Sequence, residues 1–377
     1  MKIAACVAAS AAIFLSACAS EPHPWKRPLS LDQASTIGDT NLALVENNNG
    51  VEGTWFVTDR SSIGAQYGLI GALVTSAMDG MANADPSETA QKYADEVATV
   101  ALVDKINQGL GEEMKGVVAS ETYKIRFGNV ASVQKIGGPK DAADDTIEFT
   151  VSYLLAQDAS AIKVIGTATY NRADMKYVTP YTFKTIPEEE LTGPLYRNSF
   201  IYESNRVTSP APTADMKAAW ANDVRMRYAK RYGVLPAKKS DRGYTAMQAE
   251  LAEAANDTMT PEEAAGILGK AWTVDNGATI YGELKAAHAF LAKYLLQDLN
   301  SAAVPKLDGQ DQIVEQLPDG RVVRIVGSGG GAGAYISTPG NLTAVATWGN
   351  GTQIAKVNRD RIEALEKAAD AKAKGGK

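Results

Sequence analysis

The run Gly327-Ser328-Gly329-Gly330-Gly331-Ala332-Gly333 comes after a strand-like segment, and its first six residues fit the loose dinucleotide pattern with Ala in the last place. Such a loop holds a pyrophosphate only where a helix begins and its free amides face the ligand. The next residues, Ala334-Tyr335-Ile336-Ser337-Thr338-Pro339, read as a strand ended by proline, so a hairpin or bulged connection is expected and no cofactor. Of the two histidines, His23 lies in a proline-rich stretch and His288 on the apolar stripe of a helix, the usual place for a satisfied core histidine. A zinc site or a histidine-dependent triad would therefore have one candidate and no visible partner, and no catalytic or metal-binding residue is assigned. Asp308-Gly309-Gln310-Asp311 lacks the carboxylate spacing of a calcium loop, and Asp141, Asp144 and Asp145 read as a solvated turn. A two-carboxylate hydrolase would leave no local motif, because its acids meet only in space.

The cysteines are Cys6 and Cys18. Met1-Lys2 is a positive start, Ile3 to Phe14 is apolar, and Leu15-Ser16-Ala17-Cys18 ends the run with small residues before a cysteine. This is the pattern of a secretory signal, too short to span a bilayer. The segment resembles bacterial lipoproteins, whose lipobox Leu15-Ser16-Ala17-Cys18 matches. The resemblance implies acylation of the Cys18 thiol, cleavage just before it and, with Ala rather than an acid at position 19, delivery to the periplasmic face of the outer membrane. Several acyl chains on one residue would hold the protein there lastingly. The mature chain would then have no second thiol for a disulfide.

Other stretches could form contact surfaces. Between Asp215 and Arg242 eight basic residues face three acidic ones, a local +5. Arg225, Arg227, Lys230, Arg231, Lys238, Lys239 and Arg242 are the candidate patch for an anionic lipid, a glycan or an acidic envelope protein, against the plainer reading of a solvated helix face. Ile63 to Ala82 reads as a helix with Gly64, Gly68 and Gly71 on one side, a spacing that lets two backbones approach closely. It is either an association or membrane-active helix or a buried one packed on its glycine side. Tyrosines 153, 170, 177, 181, 196 and 202 recur along strand-like runs, as cross-strand packing or as an exposed aromatic face.

Hydropathy patterning sets out the scaffold around these residues. Hydrophobic content of 45% and charged content of 22% describe a globular chain, and the net charge of -6 argues against a nucleic-acid partner. Residues 1–17 form the signal, and 18–35 hold the lipidated cysteine and a tether with prolines 22, 24 and 28, extended to Ser30. Residues 36–210 form an α+β domain. In it Leu42–Glu46 and Val51–Thr58 read as a hairpin about Asn47-Asn48-Asn49-Gly50, and Ser87–Leu110 as one helix. Runs over Thr122–Phe127, Ile147–Leu155, Ile162–Tyr170, Met175–Ile186 and Tyr196–Val207 alternate as strands with short joints, which predicts an antiparallel β-meander. Residues 211–305 are an inserted helical block, 306–357 are β-hairpins rejoining the first region, including Leu342–Trp348 paired with Thr352–Val357, and 358–377 are a charged helix or tail. The fold class expected is thus α+β, with an antiparallel β-meander sheet, packed helices and an inserted helical block.

A membrane anchor, few catalytic side chains, and basic and aromatic surfaces together predict a non-catalytic interaction or scaffold protein of the cell envelope. The alternatives are a periplasmic hydrolase acting on glycan or peptide, and a carrier of lipid or another small ligand.

Overall fold

Strict alternation of buried and half-buried residues over Ile162–Tyr170 and Tyr196–Glu203 makes these segments strands with one face against the core. The computed structural model describes residues 26–28, 33, 36–38, 40–56, 90–120, 130–138, 145–156, 158–177, 193–208, 211–256, 261–301, 309–328, 331–340 and 352–355. Its strands are β1 (Thr40–Val45), β2 (Val51–Phe56), β3 (Val130–Ile136), β4 (Thr146–Leu155), β5 (Ile162–Tyr170), β6 (Tyr196–Glu203), β7 (Gln312–Gln316), β8 (Val322–Ile325), β9 (Tyr335–Thr338) and β10 (Thr352–Ala355). Its helices are α1 (90–98), α2 (Val103–Ala119), α3 (Ala214–Tyr232), α4 (Tyr244–Ala254), α5 (Pro261–Thr273) and α6 (Ala278–Asn300). All ten strands join one mixed sheet, so the protein is α+β.

The antiparallel meander holds for its centre, β4–β5–β6, and fails on both sides of it. β1 runs parallel to β3 and β4, β2 parallel to β4, and β9 parallel to β6. Long excursions make this possible: the chain between β2 and β4, and the helices between β6 and β9, are the crossovers that parallel pairing demands. The C-terminal strands rejoin the first region, β9 on β6 and β10 antiparallel on β2. Met175 to Tyr177 is not strand, and the rest of that expected run lies outside the described residues.

The expected hairpin of β1 and β2 is corrected. Both strands run the same way along one edge of β4, β1 beside Thr146–Phe149 and β2 beside Tyr153–Leu155. Asn47-Asn48-Asn49-Gly50 is a jog between them rather than a reversal. The side-chain oxygen of Asn47 accepts from the amides of Asn49 (2.8 Å) and Gly50 (2.7 Å), and its Nδ2 donates to the Val151 carbonyl at 2.8 Å. That last bond occupies the gap in β4's ladder between the two strands. Turn-forming residues satisfy their own backbone here without turning the chain back.

The single helix expected over Ser87–Leu110 is two. Its apolar stripe is as read, with Ala90, Tyr93, Ala94, Val97, Ala101 and Ile106 all buried. The break between α1 and α2 is stabilised by Tyr281 of α6, whose hydroxyl donates to the Val100 carbonyl at 2.7 Å and accepts from the Leu102 amide at 3.2 Å. Thr99 also bonds back to the Glu96 carbonyl at 2.7 Å.

The core lies between the sheet and α1, α2, α5 and α6. Tyr153, Tyr170, Tyr177, Tyr196 and Tyr202 are all buried, which overturns the exposed aromatic face; Tyr181 lies outside the described residues. Gly166 sits opposite Val151 in β4 because a Cβ there would meet the Phe149 ring at 2.5 Å and Leu291 of α6 at 2.9 Å. Glycine is what lets the long helix lie on the sheet.

The tether expected to run extended to Ser30 is instead packed into the fold at positions 26–28. Lys26, Arg27 and Pro28 are buried, and Arg27 pairs its backbone antiparallel with Arg197 at 2.7 and 3.1 Å. Because β5 covers the other edge of β6, this pairing lies on the edge that β9 covers only from Phe200 onward. The Arg27 guanidinium donates to the Pro194 carbonyl at 3.1 Å and stacks over Tyr177 at 4.8 Å. The Lys26 ammonium forms a buried ion pair with Asp298 of α6, whose other oxygen accepts from Tyr196 (2.8 Å) and Asn198 (2.9 Å).

Candidate functional site: a basic helical hairpin and a polar cleft

α3 starts where Thr213 caps it, accepting from the Met216 amide at 3.3 Å, and ends at Gly233 in the left-handed conformation (φ 76°). The loop after it is closed by Asp241, whose carboxylate accepts from the amides of Ala237 and Lys238, both at 2.8 Å. Gly243 (φ 87°) opens α4 against the Tyr232 ring, which a Cβ at this position would strike. α3 and α4 enclose a small core of their own, Val224, Tyr228 and Met247, separate from the main one. Glu250 ties the pair together, accepting from the Tyr228 hydroxyl at 2.6 Å and from Arg227 at 3.1 Å. Burial, with Glu250 beside it, pushes the Tyr228 hydroxyl up to about 12.

On this hairpin the structure places all seven residues of the basic patch, each exposed. Arg227 is engaged by Asp223 and Glu250, and Arg242 lies over Tyr232 at 6.0 Å. Sequence reasoning missed the apolar residues among them: Val234 is 70% exposed, Met226 57% and Leu235 41%. Among the described residues these stand with Val274 and Ile313 as the exposed large hydrophobics. The signal was present as Gly-Val-Leu-Pro at positions 233–236, an apolar pair just after a helix stop and between two groups of cations. Such a surface offers charge attraction to an acidic partner and a small apolar contact within it.

A second feature is a cleft of about 370 Å³ between α6 and strands β6, β7, β8 and β9. Its walls carry Tyr202, Glu283, Lys293, Glu315 and Arg321, none of them singled out for this role in the sequence, because they come from separate elements. Glu283 accepts from the Tyr202 hydroxyl (2.9 Å) and the Asn205 side chain (3.1 Å). Glu315 accepts from Lys293 at 2.5 Å and from the Tyr294 hydroxyl, and these bonds hold its carboxyl below its ordinary value. Arg321 stacks on Tyr202 at 4.4 Å and donates to the Glu203 carbonyl at 2.6 Å. Burial raises the Tyr202 hydroxyl, so it stays a protonated donor. The cleft can bind through a set of paired donors and acceptors. A glycosidase-type acid needs its carboxyl raised, and Glu315 is shifted the other way.

The other sequence candidates fall as follows. His288 is buried, its Nε2 3.0 Å from the Tyr153 hydroxyl, and burial pulls its imidazole down to about 4. The glycine run leads into strand β9. Gly327 lies directly against the Gln310 backbone, where there is no room for a Cβ, and Gly333 (φ 88°) presses on the Lys26 side chain. Cys18, the glycines 64, 68 and 71, the strand over 122–127, Leu342–Trp348 and the tail over 358–377 lie outside the described residues. Among the described residues no cluster of three or more His, Cys, Asp or Glu is placed to hold a metal, and no helix is long and apolar enough to cross a membrane. Compared with known proteins, the chain matches no family model, no curated protein and no solved structure.

Proposed function

We propose that the protein is a non-catalytic interaction protein of the bacterial cell envelope, lipid-anchored through Cys18 on the periplasmic face of the outer membrane, with the α3–α4 hairpin as its contact element. The observation that carries this reading is the hairpin itself: on a separate small core it carries seven exposed cations together with the exposed Met226, Val234 and Leu235. An acidic chain of net charge -6 that gathers +5 into one stretch has a built-in preference for a partner with acidic groups. The lipobox resemblance supports the anchor.

The test is photo-crosslinking in cells from position 234, read by mass spectrometry, for the native chain, Cys18→Ser and the charge reversal K230E/R231E/K238E/K239E. A single envelope product that disappears in both variants supports the proposal. The same products in all three would overturn it. The hydrolase alternative draws on the carboxylates around the cleft, but Glu283 and Glu315 are already engaged by Tyr202, Asn205, Lys293 and Tyr294, and Glu315 is held below its ordinary value.

A further inference from the structure

Tyr153 is fully buried, and among the described residues its hydroxyl has one partner, the Nε2 of His288 at 3.0 Å. A buried hydroxyl proton left without an acceptor is costly, so Tyr153 donates and Nε2 accepts. Burial keeps the imidazole neutral at physiological pH, and the one ring proton therefore sits on Nδ1. Nδ1 has no hydrogen-bond partner among the described residues, and His288 lines the cavity between α2 and α6.

The Nδ1 edge of the ring faces Gly109 of α2, where an added Cβ would lie 3.4 Å from Nδ1. Between the two helices there is a cavity of about 290 Å³, walled by Ile106, Gly109, Tyr281, Leu284 and His288. This is near the lower end of small-molecule sites, about 300 Å³. Its lining sets Ile106, Leu284 and the Gly109 backbone beside Tyr281, His288 and four charged residues, and the His288 N–H has nothing among the described residues to donate to. Two lysines, Lys105 and Lys285, lie at the lining, balanced by Glu112 and Glu113. Lys105 turns over the Tyr281 ring at 5.6 Å, and Glu112 is taken by Gln108 at 2.7 Å.

We infer that the cavity between α2 and α6 binds a small molecule with an apolar body and one hydrogen-bond acceptor, a carboxylate or a carbonyl, that takes the Nδ1–H of His288. The apolar body replaces water against Ile106, Leu284 and the Gly109 backbone, and the acceptor completes a chain that runs from Tyr153 through the imidazole to the ligand. The site stands on geometry apart from the hairpin, so the two readings fail independently.

The experiment is titration of the full chain, labelled with ¹⁵N at histidine, with benzoate and separately with benzamide. Saturable movement of the His288 Nδ1 signal is expected with at least one of them; benzoate alone identifies a carboxylate site and benzamide alone a carbonyl site. Gly109→Leu, which fills the cavity, and His288→Phe, which removes the donor, are expected to weaken binding roughly tenfold or more in calorimetry. Tyr153→Phe keeps ring and cavity but frees the proton to move to Nε2, and it should weaken binding too. No movement with either probe in the native chain overturns the inference, and so does binding that persists unchanged in Gly109→Leu and His288→Phe after the folding of both variants has been checked by circular dichroism.

Discussion

Asn107 on α2 grips the backbone of Asn47 with both ends of its amide: its oxygen accepts from the Asn47 N–H at 3.1 Å, and its nitrogen donates to the Asn47 carbonyl at 3.0 Å. A helix side chain thereby stands in for the missing strand at the point where β1 gives way to β2. Both bonds are partly buried, so their loss leaves a backbone donor and acceptor unpaired at once. Asn107→Ala is expected to cost about 2–4 kcal/mol in urea unfolding. Asn107→Asp keeps the acceptor but turns a carboxylate oxygen on the Asn47 carbonyl, so it should cost at least as much, which a direct comparison of the two denaturation midpoints will check.

The ion pair of Lys26 with Asp298 locks the segment Lys26-Arg27-Pro28 onto the end of α6. Removing one partner of a buried pair strands the other charge, typically at about 3–5 kcal/mol. Lys26→Met should therefore destabilise strongly, read as a lower midpoint in urea unfolding. In K26M/D298N the stranded charge is gone, and Tyr196 and Asn198 still have an amide to bond. The double variant should recover most of the lost stability; a double variant as unstable as the single one would refute the charge explanation.

What could be read from the sequence was local. Ile147, Phe149, Val151, Tyr153 and Leu155 alternate with other residues along the strand, and every one of them is buried in β4. Period-2 and helical stripes carry that information within ten residues. The direction of strand pairing does not: Asn47–Gly50 has the composition of a reversal and makes a jog, because the partner that decides it, Val151, lies about a hundred residues away. Lys26 and Arg27 fall in the stretch expected to be a tether, since nothing nearby hints at Asp298 or Tyr177. The cleft and the Tyr153–His288 pair are likewise assembled from distant elements. The basic patch was readable because it is one continuous stretch of chain.

His288 gives the stability a pH dependence of definite sign. Its folded value is held down at about 4, while an exposed histidine protonates near 6.5. Above pH 6.5 it is neutral in both states and contributes no slope. As pH falls from 6.5 to 4 the unfolded chain takes up a proton that the folded one refuses, so stability is lost through that window and no further below it. The loss amounts to about 3 kcal/mol. His288→Gln keeps an acceptor for Tyr153 and does not titrate. The stability difference between native and variant proteins should therefore shrink, or reverse, from pH 7 to pH 4.5, measured by urea unfolding at each pH. A constant difference would mean that the imidazole protonates as readily in the folded state as in the unfolded one.

The hairpin of α3 and α4 rests on a core of three buried residues that the main cluster does not share. A small separate core supplies little stabilisation, and local opening should draw on that core alone. Val224→Ala removes two methyl groups from it, worth roughly 1–2 kcal/mol. Amide hydrogen exchange over residues 214–254 should accelerate accordingly, while α6, whose Leu291, Leu295 and Leu296 lie in the main core, keeps its protection. Leu291→Ala tests the converse: it should lower protection in α6 while that of residues 214–254, set by opening of their own core, stays as in the native protein. If Val224→Ala instead accelerated no region selectively and lowered the global transition by its full amount, the hairpin would be part of the main cooperative unit, and its basic tip would be presented by a rigid arm.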